Sequence, residues 1–100
     1  MPEIKTLTVI GAGVLGSQIA FQAAFHGFAV TAYDVDAAAL DAARARFTKL
    51  AGIYRAANLP GAADGNAEAA LDKLRLNADL GDAVANADLV IEAAPELLEL

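Results

Sequence analysis

Hydrophobic residues along this chain fall into blocks that alternate between a strand-like and a helix-like rhythm. Residues 4–10, with Leu7, Val9 and Ile10 apolar, read as a buried parallel strand. After a glycine-rich break, Leu15, Ile19, Ala23 and His26 fall on one helical stripe that stops at Gly27. Residues 28–33 read as a second strand. From Asp36, which suits an N-cap, Leu40, Ala43, Phe47, Leu50 and Tyr54 recur every three or four positions, while Asp41, Arg44, Lys49 and Arg55 lie mostly elsewhere on the wheel. That spacing predicts a long helix over residues 37–56. Gly52 inside it costs about 1 kcal/mol relative to alanine, so the last turn is expected to loosen early. Asn58-Leu59-Pro60-Gly61 and Asp64-Gly65 carry turn chemistry. Asn66 is placed to cap a short helix through about Leu74, and residues 75–77 resemble a short strand. Asp79 with Asp82 frames a helical piece up to Asn86, and residues 89–91 form the last strand.

Strands separated by helical crossovers call for a parallel sheet with helices on its faces. The expected fold is therefore α/β, a Rossmann-type doubly wound parallel sheet. It is expected to be incomplete: residues 1–100 hold the first mononucleotide-binding half and the start of the second. In that arrangement the strand order reverses beside the first strand, so the loops at residues 11–16 and 93–96 flank one crevice.

Chemistry concentrates in the break after the first strand, Gly11-Ala12-Gly13-Val14-Leu15-Gly16. Three glycines at this spacing let the chain turn tightly, bring its backbone close to a pyrophosphate and start a helix packed hard on the sheet. A Cβ at Gly11 or Gly13 would strain the turn or occupy the ligand's volume. The amides of this loop and the helix dipole make an anion site without any cationic side chain. Asp34 ends the second strand about 20 residues further on, where a carboxylate accepts both ribose hydroxyl protons of an adenosine half. A 2′-phosphate against Asp34 would set two negative charges together, and Val35 and Asp36 offer no arginine clamp. NAD is expected over NADP.

Composition narrows the remaining classes. A net charge of −6 argues against nucleic-acid partners, which select basic surfaces. Without cysteine there is no disulfide framework or thiolate chemistry, and one histidine cannot build a histidine-rich metal cluster. The N-terminal residues lack a signal-peptide layout, and no apolar run is long enough to span a membrane, so a cytoplasmic enzyme fragment of bacterial type is expected. A hydrophobic share of 57% suggests surface meant to be covered. The strand at residues 89–91 would have an unpaired edge, and Leu97, Leu98 and Leu100 follow it, so the chain is expected to self-associate as a homo-oligomer.

Three strings together resemble the N-terminal part of the 3-hydroxyacyl-CoA dehydrogenase family: VIGAGVLGSQIA from Val9, YDVD from Tyr33 and ADLVIEAAPE from Ala87. The third is the most specific, since generic Rossmann domains do not share it. The resemblance implies an enzyme that oxidises L-3-hydroxyacyl-CoA to the 3-ketoacyl thioester with NAD as hydride acceptor, the acyl-CoA being the partner of a full-length parent. It implies cofactor roles for Gly11, Gly13, Gly16 and Asp34, and for Ala93 and Glu96 on the nicotinamide side. Gln18 departs from the family, where many relatives have glycine. The resemblance also implies that the catalytic serine, histidine, glutamate and asparagine, and a helical C-terminal domain, lie beyond residue 100, so no catalytic residue is assigned here.

Other chemistry-bearing side chains read as structural. His26 precedes a helix-ending glycine, where an imidazole commonly caps carbonyls. Glu92 in the last strand reads as a hydrogen-bonding group. The family's CoA contacts come partly from the long second helix, yet Lys49 and Arg55 form no matching motif and read as a solvated face. Two alternatives stay open: a free-standing NAD-binding module without catalysis, and a sister dehydrogenase acting on a small hydroxy acid such as a sugar acid or carnitine.

Overall fold

A computed structural model describes residues 4–57 and 65–93. Strand β1 (Thr6–Ile10) leads through helix α1 (Val14–Phe25) to β2 (Ala29–Tyr33), and α2 (Ala37–Ala56) and α3 (Asn66–Lys73) precede β3 (Leu74–Asn77). A short α4 (Leu80–Val84) then leads to β4 (Leu89–Glu92). The strands form one sheet in the order β3-β2-β1-β4, every pair parallel. This is the Rossmann-like order expected of a first mononucleotide-binding half with the next strand begun on the other side of β1.

Register explains which face is core. Leu7 aligns with Val30 and Leu89, Val30 with Leu74, and Val9 with Ala32 and Ile91. This apolar face receives α1, α2 and α3, whose Phe21, Ala43 and Phe47 are buried with Leu7, Val9 and Val30 in one cluster. On the other face Thr8 aligns with Thr31 and Thr31 with Arg75. There the described contact comes from α4: Thr8 Oγ1 donates to the Ala83 carbonyl at 2.5 Å. Central β1 is buried on both faces, Leu7, Thr8 and Val9 alike, as expected of a parallel strand, whereas the flanking strands leave Ala29, Arg75 and Val90 of the α4 face exposed.

The expected α1 stripe is only half right: Ile19 and Ala23 are half-buried against the core, but the buried face is centred elsewhere. Leu15 is 61% exposed and His26 is exposed, whereas Gly16, Ser17, Ala20, Phe21, Ala24 and Phe25 are buried. The reason is steric: α1 lies so close to β1 that its smallest residues, Gly16, Ala20 and Ala24, must face the sheet. The long helix matches its expected limits, with the Asp36 carboxylate accepting from the Ala39 amide at 2.7 Å. Gly52 does not loosen it, since the helix continues to Ala56. Tyr54 holds this last stretch by packing edge-on to Phe21 and Phe25, at 4.7 and 5.0 Å between ring centroids. Asn66 is the first residue of α3 and not its cap; Gly65, at φ 85°, takes the cap position without a side-chain bond. Asp79 caps α4 as expected, accepting from the Asp82 amide at 3.0 Å, although that helix ends at Val84. The turn residues at 58–64 lie outside the described residues.

At the sheet edge opposite the glycine loop, Asp88 ties β4 to β1. Its Oδ2 accepts from the Lys5 amide at 2.8 Å and the Thr6 amide at 3.1 Å, and these two donors hold its carboxyl below the usual aspartate value. A depressed carboxylate pKa contributes stability that is present above the unfolded value and lost as pH falls through the folded one. Asp88→Asn is therefore expected to melt below the unaltered chain at neutral pH, with the gap closing as pH is lowered through the ordinary aspartate range and beyond it. A gap that stays constant across the acid range in calorimetric scans would show that the carboxylate charge contributes nothing.

Candidate cofactor site

The site is built where β1 ends. Gly11 leaves the strand at φ 97°, a left-handed conformation that favours glycine, while its amide extends the ladder by donating to the Tyr33 carbonyl at 2.9 Å. Gly13 is the N-cap of α1 and makes no side-chain cap, and the Ser17 amide closes the first turn onto its carbonyl at 2.8 Å. Among the described residues the amides of Gly13, Val14, Leu15 and Gly16 have no acceptor, and no acidic residue stands in the first turn. Four free N–H groups at a helix start, with the positive end of its dipole, make an anion site of the kind that takes a pyrophosphate. A Cβ added to Gly13 would meet nothing within 4 Å, so the space over it is open. Gly16 is different in kind. A Cβ there would stand 1.7 Å from the Gly11 carbonyl oxygen and 3.6 Å from the Ala93 Cβ.

Asp34 reaches this loop directly. Its Oδ2 accepts from the Ala12 amide at 2.9 Å and its Oδ1 from the Val35 amide at 2.7 Å, so the carboxylate is fixed beside the glycines at the end of β2. Each oxygen retains a further lone pair for an outside donor. Ala12 does not present its own amide to a ligand, because that amide is taken by Asp34 and the residue is buried. Val14 and Leu15 are largely exposed. Across the loop, the Ala93 amide donates to the Ile10 carbonyl at 2.8 Å, which brings the segment after β4 against residues 11–16. Glu96 lies outside the described residues, as do Leu97, Leu98 and Leu100.

The remaining candidates separate from the site. His26 sits at the far end of α1. Gln22 Nε2 donates to its Nε2 at 2.9 Å, and Gln22 Oε1 in turn accepts from the Tyr54 hydroxyl; among the described residues the imidazole caps no carbonyl. Glu92 is exposed and its side chain makes no hydrogen bond to the described residues. Arg55 pairs with Glu68 of α3 at 2.5 Å, and Lys49 stays on the exposed face of α2. Gln18 is also exposed, so the bulk it brings in place of a glycine meets no packing limit. Sequence reasoning missed Arg46, whose Nη1 donates to the Ala12 carbonyl at 3.2 Å. Its spacing was a signal, since Arg46 stands three residues after Ala43 and four before Leu50, on the packing side of α2.

Comparison with known proteins agrees with this geometry. The family profile described as "3-hydroxyacyl-CoA dehydrogenase, NAD binding domain" matches residues 6–100. The chain belongs to this family. Its domain is accordingly an NAD-binding one, in a family of NAD-dependent dehydrogenases. The L-carnitine dehydrogenase of Pseudomonas aeruginosa is 40% identical over 98 residues, covering 98% of this chain and 29% of that protein. Among solved structures, a diketoreductase described as acting on dicarbonyl compounds has 60% identity and a TM-score of 0.90, over 96% of this chain and 34% of that one. The 3-hydroxybutyryl-CoA dehydrogenase of Escherichia coli has 37% identity and a TM-score of 0.81, over 95% of this chain and 20% of that one. The chain thus spans about a third or less of the relatives it matches.

Proposed function

We propose that the chain is the cofactor-binding portion of an oxidoreductase that moves a hydride between NAD and a hydroxyl-bearing carbon of its substrate. The observation that carries this is the set of four unpartnered amides at residues 13–16 beside the fixed Asp34 carboxylate. The amides at Gly13, Val14, Leu15 and Gly16 hold the pyrophosphate, Gly11 and Ala12 shape the turn, and Asp34 accepts the ribose hydroxyls. Ala93, with Glu96 beyond it, borders the nicotinamide, which accepts the hydride when NAD is bound. Residues 1–100 form part of one Rossmann unit, and the groups that move the substrate proton belong to other parts of a longer enzyme.

Two substrate classes are in contention. The family match and the 37% identity to a 3-hydroxybutyryl-CoA dehydrogenase support oxidation of L-3-hydroxyacyl-CoA to 3-ketoacyl-CoA. The higher identities, 60% to the diketoreductase and 40% to the carnitine dehydrogenase, support a small hydroxy or dicarbonyl compound without a thioester. The cations of α2 do not separate the two: Arg44 and Arg55 sit in exposed ion pairs with Asp41 and Glu68, which a phosphate could replace, and Lys49 is exposed.

The purified 100-residue chain is expected to quench or enhance NADH fluorescence in a saturable titration, yet to turn over neither acetoacetyl-CoA nor a free diketone. Absence of saturable binding overturns the cofactor reading, and turnover overturns the assignment of catalysis to other residues. Assay of the complete gene product with acetoacetyl-CoA beside a free β-diketone decides between the substrate classes.

Self-association of the chain belongs to the same proposal. Among the described residues β4 has a neighbour on one side only, with Leu89 and Val90 42% and 43% exposed. Such an edge recruits a second strand, here that of another copy. Sedimentation is expected to show dimers at high micromolar concentration that Val90→Lys disperses. A strictly monomeric chain, unchanged by Val90→Lys, would overturn the expectation and show that the β4 edge recruits no second copy.

A further inference from the structure

We propose that Arg46 is a positioning residue for the cofactor, holding the Ala12–Gly13 peptide in the orientation that turns the Gly13 amide outward; this rests on the NAD-binding reading above. The Ala12 carbonyl accepts from two side chains, the Ser17 hydroxyl at 3.0 Å and Arg46 Nη1 at 3.2 Å. In a planar trans peptide the C=O and N–H point in opposite directions. Holding the Ala12 oxygen toward α1 and α2 therefore aims the Gly13 N–H away from them, and that amide has no acceptor among the described residues. Rotating this peptide would remove a free donor and turn a carbonyl oxygen toward the anion.

Local sterics do little to prevent such a rotation. It changes ψ of Ala12 and φ of Gly13, and glycine tolerates nearly any φ. The flanking Gly11 and the open space around Gly13 add no wall. The orientation therefore depends on its donors. Ser17 is fully buried and contributes a neutral bond, while Arg46 contributes a charged one, of the stronger class. Arg46 is half-buried and has no carboxylate partner among the described residues, where Arg44 and Arg55 each have one. Arg46 lines a groove of ≈ 250 Å³ with Val14 of α1 and Leu50 of α2.

The test compares Arg46→Met, Arg46→Lys and Ser17→Ala with the unaltered chain, titrating NADH and ADP-ribose while circular dichroism verifies folding at the assay temperature. Arg46→Met is expected to weaken both ligands alike, by about tenfold, as for loss of one charged hydrogen bond. Arg46→Lys restores affinity to within about threefold, because an ammonium still donates to the carbonyl. Ser17→Ala weakens both ligands in the same way from the other donor. NADH binding by Arg46→Met within twofold of the unaltered chain overturns the inference, as does a loss that lysine fails to restore or that spares ADP-ribose. Failure of the unaltered chain to bind NADH overturns the cofactor reading as well, which separates the two.

Discussion

Gly16→Ala is expected to abolish measurable NADH binding and to destabilise the chain by about 2 kcal/mol, within the usual range for overpacking. The new Cβ would stand 1.7 Å from the Gly11 carbonyl oxygen and 2.9 Å from its carbonyl carbon, both backbone atoms that no rotamer change can move. Either α1 lifts away from β1 or the Gly11 peptide turns. Lifting α1 opens the contact that buries Ala20, Phe21 and Ala24. Turning the Gly11–Ala12 peptide carries the Ala12 amide with it, which breaks its hydrogen bond to Asp34 Oδ2 and swings the free amides out of line. Overpacking of this kind costs about 1–3 kcal/mol, and the full overlap places this case at or above the upper end. Alanine regains about 1 kcal/mol of helix propensity, which reduces the loss without reversing it. Thermal unfolding and NADH titration check the two parts separately. A Gly16→Ala chain that melts at the temperature of the original and binds NADH as tightly would show that the glycine loop and α1 do not meet as described.

Asp34→Ala is expected to cost about 1.5–3 kcal/mol of NADH affinity, the range for hydrogen bonds to a charged group, or roughly 10- to 150-fold in Kd. NADPH is expected to lose less, or to gain, because the carboxylate that would repel its 2′-phosphate is gone. The structure adds a second route to the loss. Asp34 also accepts from the Ala12 and Val35 amides, so alanine releases the loop as well as the ribose. The loop contribution acts on both cofactors equally, and only the ribose contribution changes their ratio. Calorimetric titration with both is therefore decisive. A narrowing of the NADH to NADPH preference assigns Asp34 to the ribose, whereas equal weakening leaves it a turn-shaping residue.

Legibility in the sequence tracks how much of each feature is local. The long helix is readable at both ends because Ala43, Phe47 and Leu50 repeat at helical spacing against charged neighbours, and because Asp36 caps through its own side chain three residues on. The first helix misleads because apolar residues border its polar face. Val14, Leu15 and Ile19 blur the exposed polar stripe of Gln18, Gln22 and His26, so apolar spacing alone takes the wrong phase, and a contact elsewhere chooses the buried side. The better guide is the small residue repeated every fourth position, Gly16, Ala20 and Ala24, which permits the closest approach to a strand. Asn66 differs from its expected place by one residue for a similar reason: Gly65 already adopts the left-handed conformation that starts the turn, which leaves no side chain to cap it.

Sequence by itself determined the order of strands and helices, the glycine turn and the acid at the end of β2, and through these the parallel sheet of an NAD-binding domain. Those features depend on φ preference, side-chain period and the absence of a Cβ, properties that each residue brings with it. Only the tertiary structure decided which side of α1 is buried, that the Ala12 amide belongs to Asp34 and so the free donors begin at Gly13, and that Arg46 of α2 reaches the loop 34 residues away. These depend on distances between segments remote in sequence, set when the whole chain packs; local spacing marks the packing sides of α1 and α2 but fixes no bond between them and the loop.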